Sequence, residues 1–508
     1  MKKSILIIFL CAIGFVSASH AQSIVYSEPD RDDARNMDYD IMGKMNGNFL
    51  IYKNYRGTYY ITVYDNDMKA VDKIKLDYLP DRILSSSFLQ YPDYFYMFYQ
   101  YQKRNTVYAM AVKIDGTGKK IGNPVQLDTT DINYNTNSKI YTFLNSDDKQ
   151  RLLVFKINSK NEKLHYLTTS LFDKNLNLDK KALIGIPMSE KNEFLTEFQL
   201  GNDGDLVCIK ASGSNQNDNI TKISLMSKPA LSDSVYFSDI KMPNIFLDDI
   251  RIKIDNVNNH YLVASFFSKQ KRGNVDGLYC YLWDKQQQAP ILNLAAPFSD
   301  ELRAEAKGES NTKTAFNDYF LRNIVMKKDG GFVFAAESVY TSSRGSNYNR
   351  WDYFGNPYYG VGGFNSYYSS PYGGGYYPWD RYNNSFYNIT RYYADNIVML
   401  SFDVTGKPEW SNIIRKSQYD DNSDNFIGYG VLNSGSQIHF LFNVQEKRQT
   451  ILTDQVITPE GEIVRTPTLK NLDRGYDFMP RHSKQTGSRQ IIIPCEYRNY
   501  VCFAKIDY

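Results

Sequence analysis

Apolar and polar residues alternate along most of the chain in short runs that polar turns interrupt. "YYITVYDNDMKAVDKIKLD" from Tyr59, "VYAMAVKIDGTGKKIGNPVQLD" from Val107, "YLTTSLFDKNLNLDKKALIGI" from Tyr166, "NIVMLSFDVTGKPEWSNII" from Asn396 and "ILTDQVITPEGEIVRTPTL" from Ile451 share one form. Each is an alternating run, a polar turn and a second run, the pattern of a β-hairpin. Asp65, Asp115, Asp173, Asp403 and Thr458 close the first strand of each hairpin; weaker copies put Ser227, Asp284 and Asp507 in that role. Most neighbouring anchors lie roughly fifty to sixty residues apart, a spacing typical of propeller blades.

Two further strand-like runs precede each hairpin, as in "RILSSSFLQYPDYFYMFYQYQ" from Arg82. Four strands per unit, A to D from the axis outward, predict an all-β chain. Eight anchors predict a single eight-bladed β-propeller, with seven blades or two stacked β-sandwich domains as the alternatives. The last unit runs out after its third strand at Tyr508, and "QSIVYSEPD" from Gln22 is an unpaired strand near the start. Pairing the two would close the ring and remove its open sheet edges.

In an antiparallel unit, the B–C loops and the D–A links lie on one face. In the sixth unit, strands "YFLRNIVMKK", "GGFVFAAESVY" and "ADNIVMLSFD" leave residues 341–393 as an insertion between B and C. This accounts for the long gap between Asp284 and Asp403. Two other irregular links share that face: "PFSDELRAEAKGESNTKT", in which Ser299 caps a short helix opened by Asp300 and Glu301, and "SQYDDNSDN" from Ser417.

Composition sharpens the insertion. The chain holds 42 tyrosines, and strands account for most of them, since aromatic residues suit strands and inter-blade packing. The insertion is different. It carries Trp351, Tyr353, Phe354, Tyr358, Tyr359, Phe364, Tyr367, Tyr368, Tyr372, Tyr376, Tyr377, Trp379 and Tyr382 among Gly, Asn and Ser, the vocabulary of recognition loops. It predicts a binding surface for a protein partner, with a glycan as the second candidate. A flexible spacer is the bland alternative.

Charge and targeting signals set the compartment. The net charge of +3 offers no strong field toward nucleic acid or an anionic membrane. "MKKSILIIFLCAIGFVSASHAQS" has the basic start, apolar run and small residues of a cleaved signal, so residues 1–21 are expected to be removed and 22–508 to form the propeller. Leu10 before Cys11 argues against a lipoprotein cysteine. The chain is expected in the periplasm or secreted, possessing no transmembrane segment after cleavage.

The remaining chemistry is sparse. In "CEYRNYVC" a two-residue turn at Arg498 and Asn499 would set Cys495 opposite Cys502, as a disulfide or as two buried thiols. Cys208 and Cys280 read as core residues. Asp420, Asp421 and Asp424 are clustered carboxylates that suit calcium but lack EF-hand spacing, so a solvated loop is the expected reading and no cofactor is assigned. His165, His260, His439 and His482 are isolated, and no GxSxG or HxxxH motif occurs. The expectation is a non-catalytic binding protein, with a glycan-binding module and a propeller hydrolase behind it.

The signal, the degenerate hairpin repeats and the Tyr/Gly/Asn-rich insertion together resemble exported β-propeller proteins of Gram-negative envelopes. That resemblance implies an accessory subunit of an outer-membrane or type IX-like secretion complex.

Overall fold

The computed structural model describes residues 23–30, 37–161, 163–189, 192–213, 219–307, 309–343, 346–347, 389–421, 424–446, 449–465 and 475–508. The chain is all-β, built from small antiparallel sheets in which successive strands pair with their sequence neighbours. The first sheet runs Met37–Met45, Asn48–Tyr55, Thr58–Tyr64 and Ala70–Lys75, and the second runs Ser85–Gln90, Phe95–Lys103, Thr106–Ile114 and Lys120–Asp131. The same four-stranded meander repeats from Thr142 to Pro187, Glu193 to Ile240, Phe246 to Pro297, Tyr319 to Ile414 and Tyr429 to Arg465. The fourth and fifth meanders are joined by one residue pair, Ile220 with Leu247.

The last sheet is completed from the other end of the chain. Gln490–Tyr497 pairs with Tyr500–Asp507, and Ser23–Tyr26 adds to the outer side of that hairpin, from Ser23 opposite Asp507 to Tyr26 opposite Ala504. The orphan strand thus finds the partner that its sequence predicted.

Apolar cores lie between the sheets, because both faces of each sheet carry buried residues. Leu50, Ile61, Phe95 and Met97 fill the space between the first and second sheets. Equivalent clusters join second to third, third to fourth, and so on to the last. An eighth places Phe49, Ile51 and Tyr64 of the first sheet against Met479, Ile492 and Phe503 of the last.

The hairpin anchors act through one recurrent turn. Asp115 Oδ1 accepts hydrogen bonds from the N–H groups of Thr117 and Lys119 at 2.8 and 3.0 Å, and from the Thr117 hydroxyl at 2.7 Å. Asp65, Asp173 and Asp403 make the same backbone contacts two and four residues on. Short polar side chains satisfy turn amides in this way, which is why aspartate marks the repeat.

Two of the irregular links can be followed in the fold. The helix α1 spans Asp300–Lys307, and Ser299 Oγ accepts from the N–H of Leu302 at 3.2 Å. In the sixth sheet, strands Phe332–Ser343 and Ile389–Phe402 stay paired into the expected insertion, with Thr341 opposite Tyr392 and Ser343 opposite Ile389. Tyr340 stacks on Tyr393 at 4.5 Å between ring centres at the base of this stem, and the pairing up to Ser343 and Ile389 carries the strands inside the 341–393 boundaries read from sequence.

Candidate functional site

The inner strands of several sheets break their ladder at comparable places. Register shifts fall between Ile41 and Gly43, Thr196 and Gln199, Leu247 and Ile250, and Leu321 and Asn323. A β-bulge turns a side chain away from its alternating direction. Glu197, Asp249 and Arg322 sit in three of these bulges, and Glu197 adopts a φ of 57° there.

These residues build a compact charged cluster. The Arg251 guanidinium lies 3.3 Å from Glu197 and 3.1 Å from Asp249. Arg322 Nε is 3.5 Å from Glu337, whose other oxygen is 2.8 Å from Lys416 Nζ. Lys416 also donates to the Ala394 carbonyl and the Gln418 side chain. Arg481 pairs with Asp424. Tyr429 donates to Asn323 at 2.8 Å, tying the seventh inner strand to the sixth.

Burial and neighbouring charges shift each of these groups. Burial pushes Arg322 below its ordinary value and Glu337 opposes that, while the positive charges of Arg481 and Arg251 push it further down. Burial would raise Glu337, but Lys416, Arg322 and Arg481 together hold its carboxyl below the usual range. Burial likewise holds Lys416 below an ordinary amine, opposed by Glu337. Arg251 stays above its usual value because Asp249 and Glu197 outweigh its burial.

Exposure separates two layers. The side chains of Arg251, Arg322 and Arg481 are 20, 16 and 22 % exposed, whereas those of Lys416 and Glu337 are 0 and 3 %. Part of each arginine side chain is thus open to solvent, while Nε of Arg251, Nε and Nη2 of Arg322 and Nη2 of Arg481 are buried, and the Lys416–Glu337 pair lies behind Arg322.

The sequence-predicted site residues fare unevenly. The aromatic residues Trp351 to Tyr382 of the insertion lie outside the described residues. Asp421 and Asp424 do not converge on a cation site: Asp421 pairs with Arg391 through both of its oxygens, and Asp424 pairs with Arg481. Asp420 lies in the short strand Gln418–Asp420 beside Tyr392. Among the described residues, no three His, Cys, Asp or Glu side chains come together as metal ligands. Cys495 and Cys502 do face one another, with Sγ atoms 3.0 Å apart.

Sequence reasoning missed the charged cluster. The available signal was a charge inside an otherwise apolar strand, as with Arg322 in "YFLRNIVM" and Glu337 in "FVFAAESVY"; Arg251, among the charges of "LDDIRIKID", gave no such signal.

No family model matches the chain. No curated protein matches it either. Among solved structures, the chain is similar to a polysaccharide lyase of family PL25, an ulvan lyase bound to -[GlcA(1-4)Rha3S]-. The identity is 9 %, the match covers 82 % of this chain and 90 % of that one, and the TM-score is 0.37. It is also similar to prolyl oligopeptidase B from Galerina marginata, at 8 % identity over 92 % of this chain and 56 % of that one, with a TM-score of 0.41. The tricorn protease matches at 12 % identity over 91 % of this chain and 36 % of that one, with a TM-score of 0.38.

These matched proteins carry enzyme names, and that finding corrects the expectation of a non-catalytic protein that works only as a binding subunit. The missing sequence motif was too narrow a criterion, since reacting groups can be assembled from distant strands. At such identities and TM-scores the likeness assigns no activity, substrate or residue to this chain.

Proposed function

We propose that the chain is a closed eight-bladed β-propeller and a glycan-active enzyme, with Arg251, Arg322 and Arg481 at the propeller axis receiving an acidic group of the glycan. The ring reading is supported by the succession of inter-sheet cores, which returns from the last sheet to the first, and by the strand Ser23–Tyr26 that completes the last sheet.

One observation carries the site: Arg251, Arg322 and Arg481, from three different units, are each held by acidic partners, Glu197 with Asp249, Glu337 and Asp424, with part of each arginine side chain open to solvent. A carboxylate or sulfate of the glycan would share these guanidinium donors with the resident carboxylates through charge-assisted hydrogen bonds. A carbohydrate carrier is favoured by the rings on the stem of the sixth sheet. Tyr419 is 58 % exposed beside the Tyr340–Tyr393 stack, with the Arg391 guanidinium 4.2 Å from its ring centre. Aromatic faces of this kind can stack on sugars. Export by the N-terminal signal, and residence in the periplasm or outside the cell, belong to the same reading.

The test is calorimetric binding to matched acidic and neutral polysaccharides, followed by assay of the mixtures for new reducing ends and unsaturated uronate ends. Binding confined to acidic polymers, with product formed from them, is expected. Equal binding of neutral polymers sinks the site, and acidic binding without product sinks the enzymatic reading.

A further inference from the structure

The last sheet holds a second chemical feature, remote in character from the charged cluster. Gln490–Tyr497 and Tyr500–Asp507 are joined by a two-residue turn in which Arg498 and Asn499 have φ of 52° and 67°. Two consecutive left-handed residues define a type I′ turn, which fixes hairpin register without a bulge. The register places Cys495 directly opposite Cys502. Their sulfurs are 3.0 Å apart, and both residues are 0 % exposed.

The Cys502 thiol also reaches the Cys495 carbonyl at 3.4 Å, and no other cysteine among the described residues shares their core. They sit with Ile491, Ile493, Ala504 and Ile506 in the core between the seventh and last sheets. Cys208 instead contacts Met226, in the core between the third and fourth sheets, and Cys280 lies in the core between the fifth and sixth. A pair so placed is fastened to the strand that receives Ser23–Tyr26, because Cys502 shares Tyr500–Asp507 with the residues that pair with it.

We propose that Cys495 and Cys502 are a modification site, oxidised to a cross-strand disulfide that locks the hairpin on which the N-terminal strand docks. The reaction is thiol–disulfide exchange with a disulfide oxidant such as glutathione disulfide. One cysteine thiolate attacks the oxidant, forming a mixed disulfide and releasing one glutathione thiol. The second cysteine thiolate then attacks the mixed disulfide, releasing the other. In sum, two protein thiols and one glutathione disulfide give one protein disulfide and two glutathione thiols. Complete burial excludes the oxidant from the packed sheet, so exchange takes place while the hairpin is still open. Once formed, the bond is shielded from reductants by the same packing.

The full chain, unfolded and refolded with glutathione disulfide or with reduced glutathione alone, supplies the test. Each product is then denatured in iodoacetamide and its peptides are weighed. After oxidising refolding, Cys208 and Cys280 should be alkylated, and Cys495 and Cys502 should appear as one linked peptide, two hydrogens lighter. The oxidised form should melt several degrees above the reduced form, and Cys502→Ala should abolish that difference. Alkylation of Cys495 and Cys502 in natively folded, oxidised material overturns the proposal, as does linkage of either to Cys208 or Cys280. If the reduced chain does not refold, the peptide masses of the oxidised product alone decide.

Discussion

Arg322 and Glu337 lie on adjacent strands of the sixth sheet, and the guanidinium reaches the carboxylate at 3.5 Å from a bulge in its own strand. Without the bulge, alternation would aim Arg322 elsewhere and leave Glu337 with Lys416 alone. A backbone irregularity thus sets the charge pattern of the site.

Glu337→Gln is expected to cost about 3–5 kcal/mol of stability, the usual result of removing one member of a buried ion pair. The buried Lys416 would lose its carboxylate partner and Arg322 its support. Urea unfolding followed by fluorescence measures the loss. A change below about 1 kcal/mol, the range of exposed pairs, would show that the pair is solvated.

Arg481→Gln is expected to weaken binding of an acidic polysaccharide at least tenfold, a loss of about 1.4 kcal/mol, and to flatten its dependence on salt. Calorimetry at two ionic strengths reads both effects. The partner that remains, Asp424, lies on the link that follows the sixth sheet, so circular dichroism of the variant checks that this link is intact.

His482 sets a pH dependence. Burial, helped by the adjacent Arg481, lowers its value from 6.5 to about 4. The unfolded chain therefore binds the proton more readily between those limits. The stability that neutral His482 contributes is complete above pH 6.5 and is lost as pH falls toward 4. Allowing for screening, the loss is about 1–3 kcal/mol. Unfolding midpoints across this window should fall for the native chain, and His482→Asn should remove that part of the slope.

Asp115→Ala should cost about 1 kcal/mol, because two turn amides and the Thr117 hydroxyl lose their acceptor. Asp115→Asn keeps an acceptor oxygen and should recover most of it. Thermal unfolding of the two variants separates the hydrogen bonds from the charge.

The fold was legible where local rules act over short distances. Alternation revealed the strands, Asp115 and its counterparts revealed the turns, and Ser299 revealed the start of α1. Even the distant pairing of Ser23–Tyr26 with the last sheet was readable, since a unit lacking one strand pointed to a strand lacking a unit. The charged cluster was not readable in the same way. Arg251, Arg322 and Arg481 come from separate units, and nothing in sequence spacing reports that three bulged or irregular segments turn toward one another. Asp424 shows the same limit: its neighbours in sequence suggested a cation site, whereas its partner in space is a guanidinium.

The register of Ser23 with Asp507 also sets an order of events. Ser23–Tyr26 must wait for residues made much later, on the order of tens of seconds at 5–20 residues per second of synthesis. Until then its backbone donors and acceptors face water or whatever else can bind an extended segment. Ser23–Tyr26 is therefore seated only after Tyr500–Asp507 has been made, and any factor that shields it during synthesis would act on this protein before that sheet is complete.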